Sequence, residues 1–101
     1  MPKIDATTAK KYLCSVRPEK SFWVNNGPIV NNLKSLPKTV EEMSEDQFNY
    51  HVNKEKNDFS NWIHEIIGDI VLAKELKMAK TKKTFLAKLK HRVEALKKIA
   101  A

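Results

Sequence analysis

Apolar residues between positions 57 and 69 constrain the fold more than any other part of the chain. Five of them recur at intervals of three and four residues: Phe59, Trp62, Ile63, Ile66 and Ile67. That spacing puts them on one face of a helix, which has to be buried against other elements. Asn57 or Asp58 can cap the start of this helix, and Gly68 suits the left-handed residue that ends it. The pattern predicts a short amphipathic helix inside a helical domain.

Helical spacing continues through most of the chain, because only two glycines and four prolines interrupt 101 residues. Asp5 is predicted to cap a first helix that runs from Ala6 to about Val16. Ser44 and Gln47 match a capping box at the start of another helix, which ends before a polar loop over residues 53–57. Several short helices joined by short loops are therefore expected.

The aromatic segment at residues 21–24, SFWV, interrupts this pattern. It is β-prone, and the turn Asn-Asn-Gly-Pro follows it. No second alternating strand is visible after the turn, so the segment is predicted to cross the helices rather than to form half of a hairpin.

Two prolines then suggest the limits of the next helix. Pro28 suits a first helical position, so a helix is predicted over residues 29–36, ended by Pro37. Thr39 and Glu42 match a capping box for a short turn that ends near residue 43.

Together these patterns predict an all-α fold, a compact bundle of five to six mostly short helices with a short extended aromatic segment near residues 21–24. One domain is expected over residues 1–101, with a basic C-terminal helix at 77–101. The single cysteine, Cys14, excludes an internal disulfide, and no apolar run is long enough for a transmembrane segment. A cytoplasmic protein is expected.

Positive charge is concentrated in the last quarter of the chain. Residues 74–101 contain ten basic and two acidic residues, hence a net charge of +8, whereas the whole chain carries +7. Such a segment favours an anionic partner, and RNA, DNA or a ribonucleoprotein is the first expectation. Eight residues are predicted to make these contacts: Lys80, Lys82, Lys83, Lys88, Lys90, Arg92, Lys97 and Lys98.

The last helix, predicted from Lys82 to about Ile99 after a Thr81 cap, presents these residues in two rows. One row repeats every seven residues along one flank of the apolar stripe, and Lys88 and Arg92 mark the other flank. The two rows are expected to straddle a phosphate backbone. Because nine of the ten basic residues are lysines, backbone contact without sequence preference is predicted.

A possible polar network is predicted around the 53–57 loop, from His51, Asn57, Asp58 and Trp62. If the loop folds back, His51 can reach Asp58 or a helix-start amide. This contact can be structural, or it can belong to an acid–base pair or a ligand site. The structural interpretation is favoured, because no further group completes a catalytic set. No catalytic residue, metal site or cofactor is therefore predicted, and the chain is not expected to be an enzyme.

The string FNYHVNKEKNDFSNWIHEIIGDIVLA, residues 48–73, resembles a family of small proteins, common in archaea, that is catalogued as a domain of unknown function. The shared pattern is FxxHVNxxKNDFxxWIxxxxGDxxLA. The match extends over about residues 22–76, so the resemblance implies a family-like core at 22–76 of a small helical domain. It implies no activity, cofactor or catalytic residue.

The leading functional hypothesis is a non-enzymatic module that grips nucleic acid or a ribonucleoprotein through its basic C-terminal helix. The alternative is a protein–protein interaction module, which uses the 48–69 surface or binds an acidic protein through the tail. A small-ligand binder or an enzyme comes third. Phe22 and Trp23 either plug one end of the bundle or form a stacking platform for an unpaired base, and the first is favoured.

Overall fold

The predicted helical fold class is confirmed by a computed structural model, which describes residues 4–101. The first three residues of the predicted domain lie outside the described residues. The elements follow in this order: α1 Ala6–Leu13, β1 Phe22–Trp23, β2 Ile29–Val30, α2 Leu36–Glu42, α3 Glu45–His51, α4 Asp58–Trp62, α5 Ile70–Lys77 and α6 Lys82–Ala100. A 3₁₀ turn, Pro18–Lys20, precedes β1, and a π-helical turn, Ile63–Ile67, continues α4.

Helix α6 lies at the centre of the packing, against α1, α2 and α5. Its buried stripe consists of Phe85, Leu89, Val93 and Leu96. Phe85 joins an aromatic cluster, where its ring centroid lies 5.2 Å from that of Phe48 and 5.4 Å from that of Phe59. Burying side chains of this size stabilises the fold by roughly 1.5–3 kcal/mol each. The apolar stripe of α6 is therefore committed to the core.

Three of the predicted helix starts agree closely with the structure. Asp5 accepts a hydrogen bond from the Thr8 amide at 2.8 Å. Both bonds of the capping box that opens α3 are present. Thr81 caps α6 as expected. The first helix ends at Leu13 rather than near Val16, because the Val16 amide donates to Asn31 at 2.7 Å and the chain turns toward β2.

The prediction for residues 21–24 is wrong about their partner. The segment is extended, but β1 pairs antiparallel with β2, with Phe22 opposite Val30 and Trp23 opposite Ile29. Each strand has only two residues, so no alternation was visible in the sequence. The turn needs Gly27, because a Cβ there would lie 2.7 Å from the Val24 Cγ1.

The helix predicted over residues 29–36 is consequently also wrong, since Ile29 and Val30 form β2. Pro37 does not end a helix; it lies in the first turn of α2, where a missing amide hydrogen removes no helical bond. Thr39 is helical and its hydroxyl donates to the Ser35 carbonyl, so the predicted capping box at this position is wrong.

The central helix predicted from the 57–69 pattern is present, but its last turn is π-helical. The Gly68 amide donates to the carbonyl of Ile63, five residues earlier, at 2.7 Å. Gly68 has φ +92°, the left-handed conformation expected for it. Asp69 then caps α5 by accepting from the Leu72 amide at 3.2 Å.

Candidate functional site

His51 is 3% exposed and both of its ring nitrogens are engaged. Its Nε2 lies 3.0 Å from the Asn25 amide, and its Nδ1 lies 3.0 Å from Asp58 Oδ2. A backbone amide can only donate, so Nε2 accepts and the hydrogen is assigned to Nδ1, which donates to the carboxylate. The imidazole is thus neutral, and it ties the hairpin turn to the start of α4.

Asp58 has a second partner in the neighbouring loop. Its Oδ2 accepts from the Lys56 ammonium at 2.9 Å, and that ammonium lies 4.5 Å from the centre of the Tyr50 ring. The hydrogen bond to Asp58 raises the pKa of Lys56. The negative charge of the Asp58 carboxylate is therefore compensated by the Lys56 ammonium, and the same oxygen also accepts a hydrogen bond from His51.

The other two members of the predicted network also hold backbone groups. The Asn57 side chain accepts from the Ser60 amide at 2.9 Å and donates to the Leu76 carbonyl at 3.2 Å, so Asn57 caps α4 and joins it to α5. The Trp62 indole N–H donates to the Lys20 carbonyl at 2.7 Å. These contacts support the structural interpretation of the network, because its polar atoms connect separate elements of the fold.

Arg92 forms an ion pair within the fold, which its place in the basic tail did not suggest. Its Nε and Nη2 donate to the two carboxylate oxygens of Asp69 at 2.8 and 2.9 Å. Asp69 is 1% exposed, and the hydrogen bonds that Arg92 donates to its carboxylate raise the pKa of Arg92. The predicted assignment of Arg92 to nucleic acid is corrected accordingly: this guanidinium neutralises a buried carboxylate at the start of α5.

Three lysines of the predicted set also have partners within the chain. The Lys82 ammonium donates to the carbonyls of Glu41 and Met43 at the end of α2. Lys90 pairs with the Glu41 carboxylate at 2.8 Å and lowers its pKa, chiefly through this hydrogen bond. Lys97 contacts Glu94 at 3.4 Å.

One residue of each flanking row on α6 is thus engaged by a neighbouring helix. Lys90 pairs with a carboxylate of α2, whereas Arg92 reaches the start of α5. The expectation that the two rows straddle one phosphate backbone stays a prediction, with these two cations already engaged inside the fold. Within residues 4–101, five of the eight predicted residues form no ion pair: Lys80, Lys82, Lys83, Lys88 and Lys98.

An open groove of about 570 Å³ brings together lysines from two distant parts of the chain. Lys54 and Lys56 come from the 53–57 loop, and Lys77 and Lys80 come from the end of α5 and the residues after it. Glu55 is the one acidic side chain among the residues that line it. We call this feature the basic groove.

The loop that supplies half of the basic groove is held by its own hydrogen bonds. Asn53 Oδ1 accepts from the amides of Glu55 and Lys56 at 3.0 and 3.3 Å, and the Asn53 amide donates to the Lys56 carbonyl at 2.9 Å. The Asn57 bond to α5 fixes the loop against the second pair of lysines. The cations are therefore carried by an ordered backbone.

Sequence reasoning found Lys80 but missed Lys54, Lys56 and Lys77 as members of one site. Two lysines in a polar loop directly after His51 were the available signal. Their position beside the end of α5 depends on a contact between residues 57 and 76, which no local pattern reveals.

Two further kinds of feature are not seen in the part of the chain that the structure describes. Residues 4–101 contain no group of three or more histidine, cysteine, aspartate or glutamate side chains arranged to hold a metal ion. Nor does any helix in that range combine the length and the apolar character needed to cross a bilayer.

Comparison with known proteins found no matching family model, no matching curated protein and no matching solved structure. The family resemblance of residues 48–73 stays a prediction.

Proposed function

We propose that this protein binds the phosphate backbone of a nucleic acid, free or within a ribonucleoprotein, in the basic groove. One observation carries the proposal: Lys54, Lys77 and Lys80 converge on one depression, and within residues 4–101 none of them forms an ion pair.

The electrostatics of the groove favour an anionic ligand over an empty site. Like charges gathered in a concave surface repel one another, and a polyanion relieves that repulsion while releasing its own counterions. Glu55 offsets only part of the charge, and Lys56 is already engaged by Asp58. The three unpaired lysines are the groups that remain for phosphates.

The composition of the groove also indicates how the ligand is recognised. All four of its cations are lysines, which act as point charges and do not read base edges in a bidentate manner. Arg92, the one arginine of the basic tail, is engaged by Asp69. We therefore expect little sequence preference.

The alternative function, a protein-binding surface at residues 48–69, receives less support. The large apolar side chains of that stretch are mostly buried in the core, and Tyr50 is the one aromatic residue in it that is exposed. An acidic protein bound by the same lysines is an outcome of the experiment below. The cytoplasmic location stays a prediction.

The test is a fluorescence anisotropy titration of RNA and duplex DNA between roughly 50 and 200 mM salt. We expect binding that weakens steeply as salt rises. The groove variant K54Q/K77Q/K80Q should lower the affinity by on the order of 100-fold near 0.1 M salt and reduce the salt slope by about 2–3. Its matched control is K11Q/K34Q/K38Q, which removes the same charge from exposed lysines outside the groove.

Equal weakening in the two variants would mean that net charge, not the groove, determines binding. If neither nucleic acid binds near 50 mM salt, the proposal is wrong. Should an acidic protein bind while nucleic acid does not, the protein-binding alternative replaces it.

A further inference from the structure

The outer face of the hairpin carries two large side chains that the fold does not bury. Trp23 is 69% exposed, and Ile29, directly opposite it in the register, is 53% exposed. The alternate residues Phe22 and Val30 point inward and are buried, as the pleat requires. Trp23 and Ile29 thus form apolar surface that contributes little to the core and stays available for a ligand.

The hairpin presents Trp23 on a backbone that is already ordered. The inward ring of Phe22 stacks on Phe59 with centroids 4.5 Å apart. The Asn25 amide, two residues after Trp23, is held by His51 at 3.0 Å. A platform fixed in this way loses little conformational entropy when a ligand docks on it.

A small cleft of about 340 Å³ lies beside the exposed indole. Pro18, Trp23 and Ile29 supply apolar walls, and Ser21 and Asn31 add polar groups. Within residues 4–101 the side-chain nitrogen of Asn31, Nδ2, donates no hydrogen bond, so its two hydrogens are available to a ligand. A flat apolar ring with hydrogen-bonding edges fits this cleft, and the volume is at the small end of the range for ligand pockets.

Charges near the cleft are balanced, which favours an uncharged group inside it. Arg17 and Lys20 line an adjoining depression together with Glu65, and the Arg17 guanidinium reaches Glu19 only at 3.7 Å. A neutral base can therefore occupy the cleft without leaving a charge there uncompensated. A second copy of the chain is a poorer occupant, because each copy carries a net charge of +7.

A short chain of contacts joins this cleft to the basic groove. Asn25 is bound to His51, and Val52, the next residue, lines the groove. The Asp58 partner of His51 also holds Lys56, which lines the groove as well. The longest dimension of the domain is 36 Å, so one strand of nucleic acid is long enough to contact both features.

We infer that Trp23 stacks on an unpaired base of the nucleic acid whose phosphates occupy the basic groove, so that the preferred ligand is single-stranded. This inference rests on the proposed function. Stacking on an aromatic side chain needs a free base face, which a duplex does not offer along its length, and it is tolerant of sequence because every base has such a face.

The experiment compares a single strand of thymidines, roughly 12 nucleotides long, with a duplex of equal length at low salt. Trp23→Ala should weaken single-strand binding roughly 5- to 150-fold and leave duplex binding unchanged. The single strand should also quench the fluorescence of Trp23, and Trp23→Phe should remove that quenching while retaining most of the affinity. Trp62 is 8% exposed, so its emission should persist.

Tyr50→Ala is the matched control, because Tyr50 is the other strongly exposed aromatic residue. Selective loss of single-strand binding in this variant, with Trp23→Ala unchanged, would assign stacking to Tyr50 and overturn the inference. Duplex binding that persists without any Trp23 effect would overturn the inference and leave the proposed function intact. The groove variant K54Q/K77Q/K80Q should instead weaken the binding of both the single strand and the duplex. A Trp23-dependent dimer in sedimentation measurements would identify a second copy as the occupant and overturn it as well.

Discussion

The ion pair of Asp69 with Arg92 and the lysines of the basic groove are two contrasting uses of charge in one small domain. Asp69 is almost fully buried, and its two carboxylate oxygens are matched by two guanidinium donors. Lys54, Lys77 and Lys80 are exposed and have no such partner within residues 4–101. Both sets contribute to the same basic composition. The difference shows that a charge count identifies a candidate surface only after internal partners have been removed from it.

The largest effect on stability is expected at the buried ion pair of Asp69 with Arg92. Arg92→Met removes the partner of a buried carboxylate, so the free energy of unfolding should fall by about 3–5 kcal/mol. Urea denaturation followed by circular dichroism measures this change.

The double variant Asp69→Asn with Arg92→Met is the control for that prediction, since it removes the uncompensated charge. It should recover part of the loss, whereas equal instability in the two variants would show that the packing of Arg92 matters more than its charge.

A smaller effect on stability is expected at His51, because its imidazole is uncharged and its partner Asp58 is partly exposed. His51→Phe keeps an aromatic ring against Phe22 and Phe59 but leaves the Asn25 amide without its acceptor. Unfolding free energy should fall by about 1–3 kcal/mol. Loss of protection at the Asn25 amide in hydrogen exchange would locate the effect, and unchanged stability would contradict the structural role given to the network.

The smallest effect on stability is expected in the groove. The K54Q/K77Q/K80Q variant should keep its unfolding free energy within about 0.5 kcal/mol of the parent, because exposed substitutions without partners change stability little. Thermal and urea unfolding measure this. A loss as large as that of Arg92→Met would mean that these lysines hold the fold, and the contrast between the two sets would disappear.

Local patterns predicted most helix starts at which a cap and its partner are three residues apart, although the capping box expected at Thr39 is absent. Asp5, Ser44 and Thr81 all cap the expected helices, because such contacts form within one turn of chain. Gly68 adopts the left-handed conformation for the same local reason. The same approach failed at β1 and β2, whose two-residue strands are too short to display alternation, and Pro37 was compatible with either end of a helix.

The candidate site was only partly predictable. The His51–Asp58 contact was one of two alternatives that the sequence allowed if the 53–57 loop folds back, and the structure has it at 3.0 Å. Arg92 was assigned to a ligand, since nothing in its neighbourhood along the chain pointed to Asp69, 23 residues earlier. The groove lysines were missed for the same reason. Lys54 and Lys77 are far apart along the chain, and only the packing of the fold brings them together.

By itself, the sequence determined the helical class, most of the helix starts and the excess of positive charge, because each depends on residues within a turn or on composition. Only the tertiary structure decided which charges stay available, since pairing depends on side chains brought together from distant positions. It likewise decided that Phe22 is buried and Trp23 exposed, because the pleat of a hairpin turns adjacent residues to opposite faces.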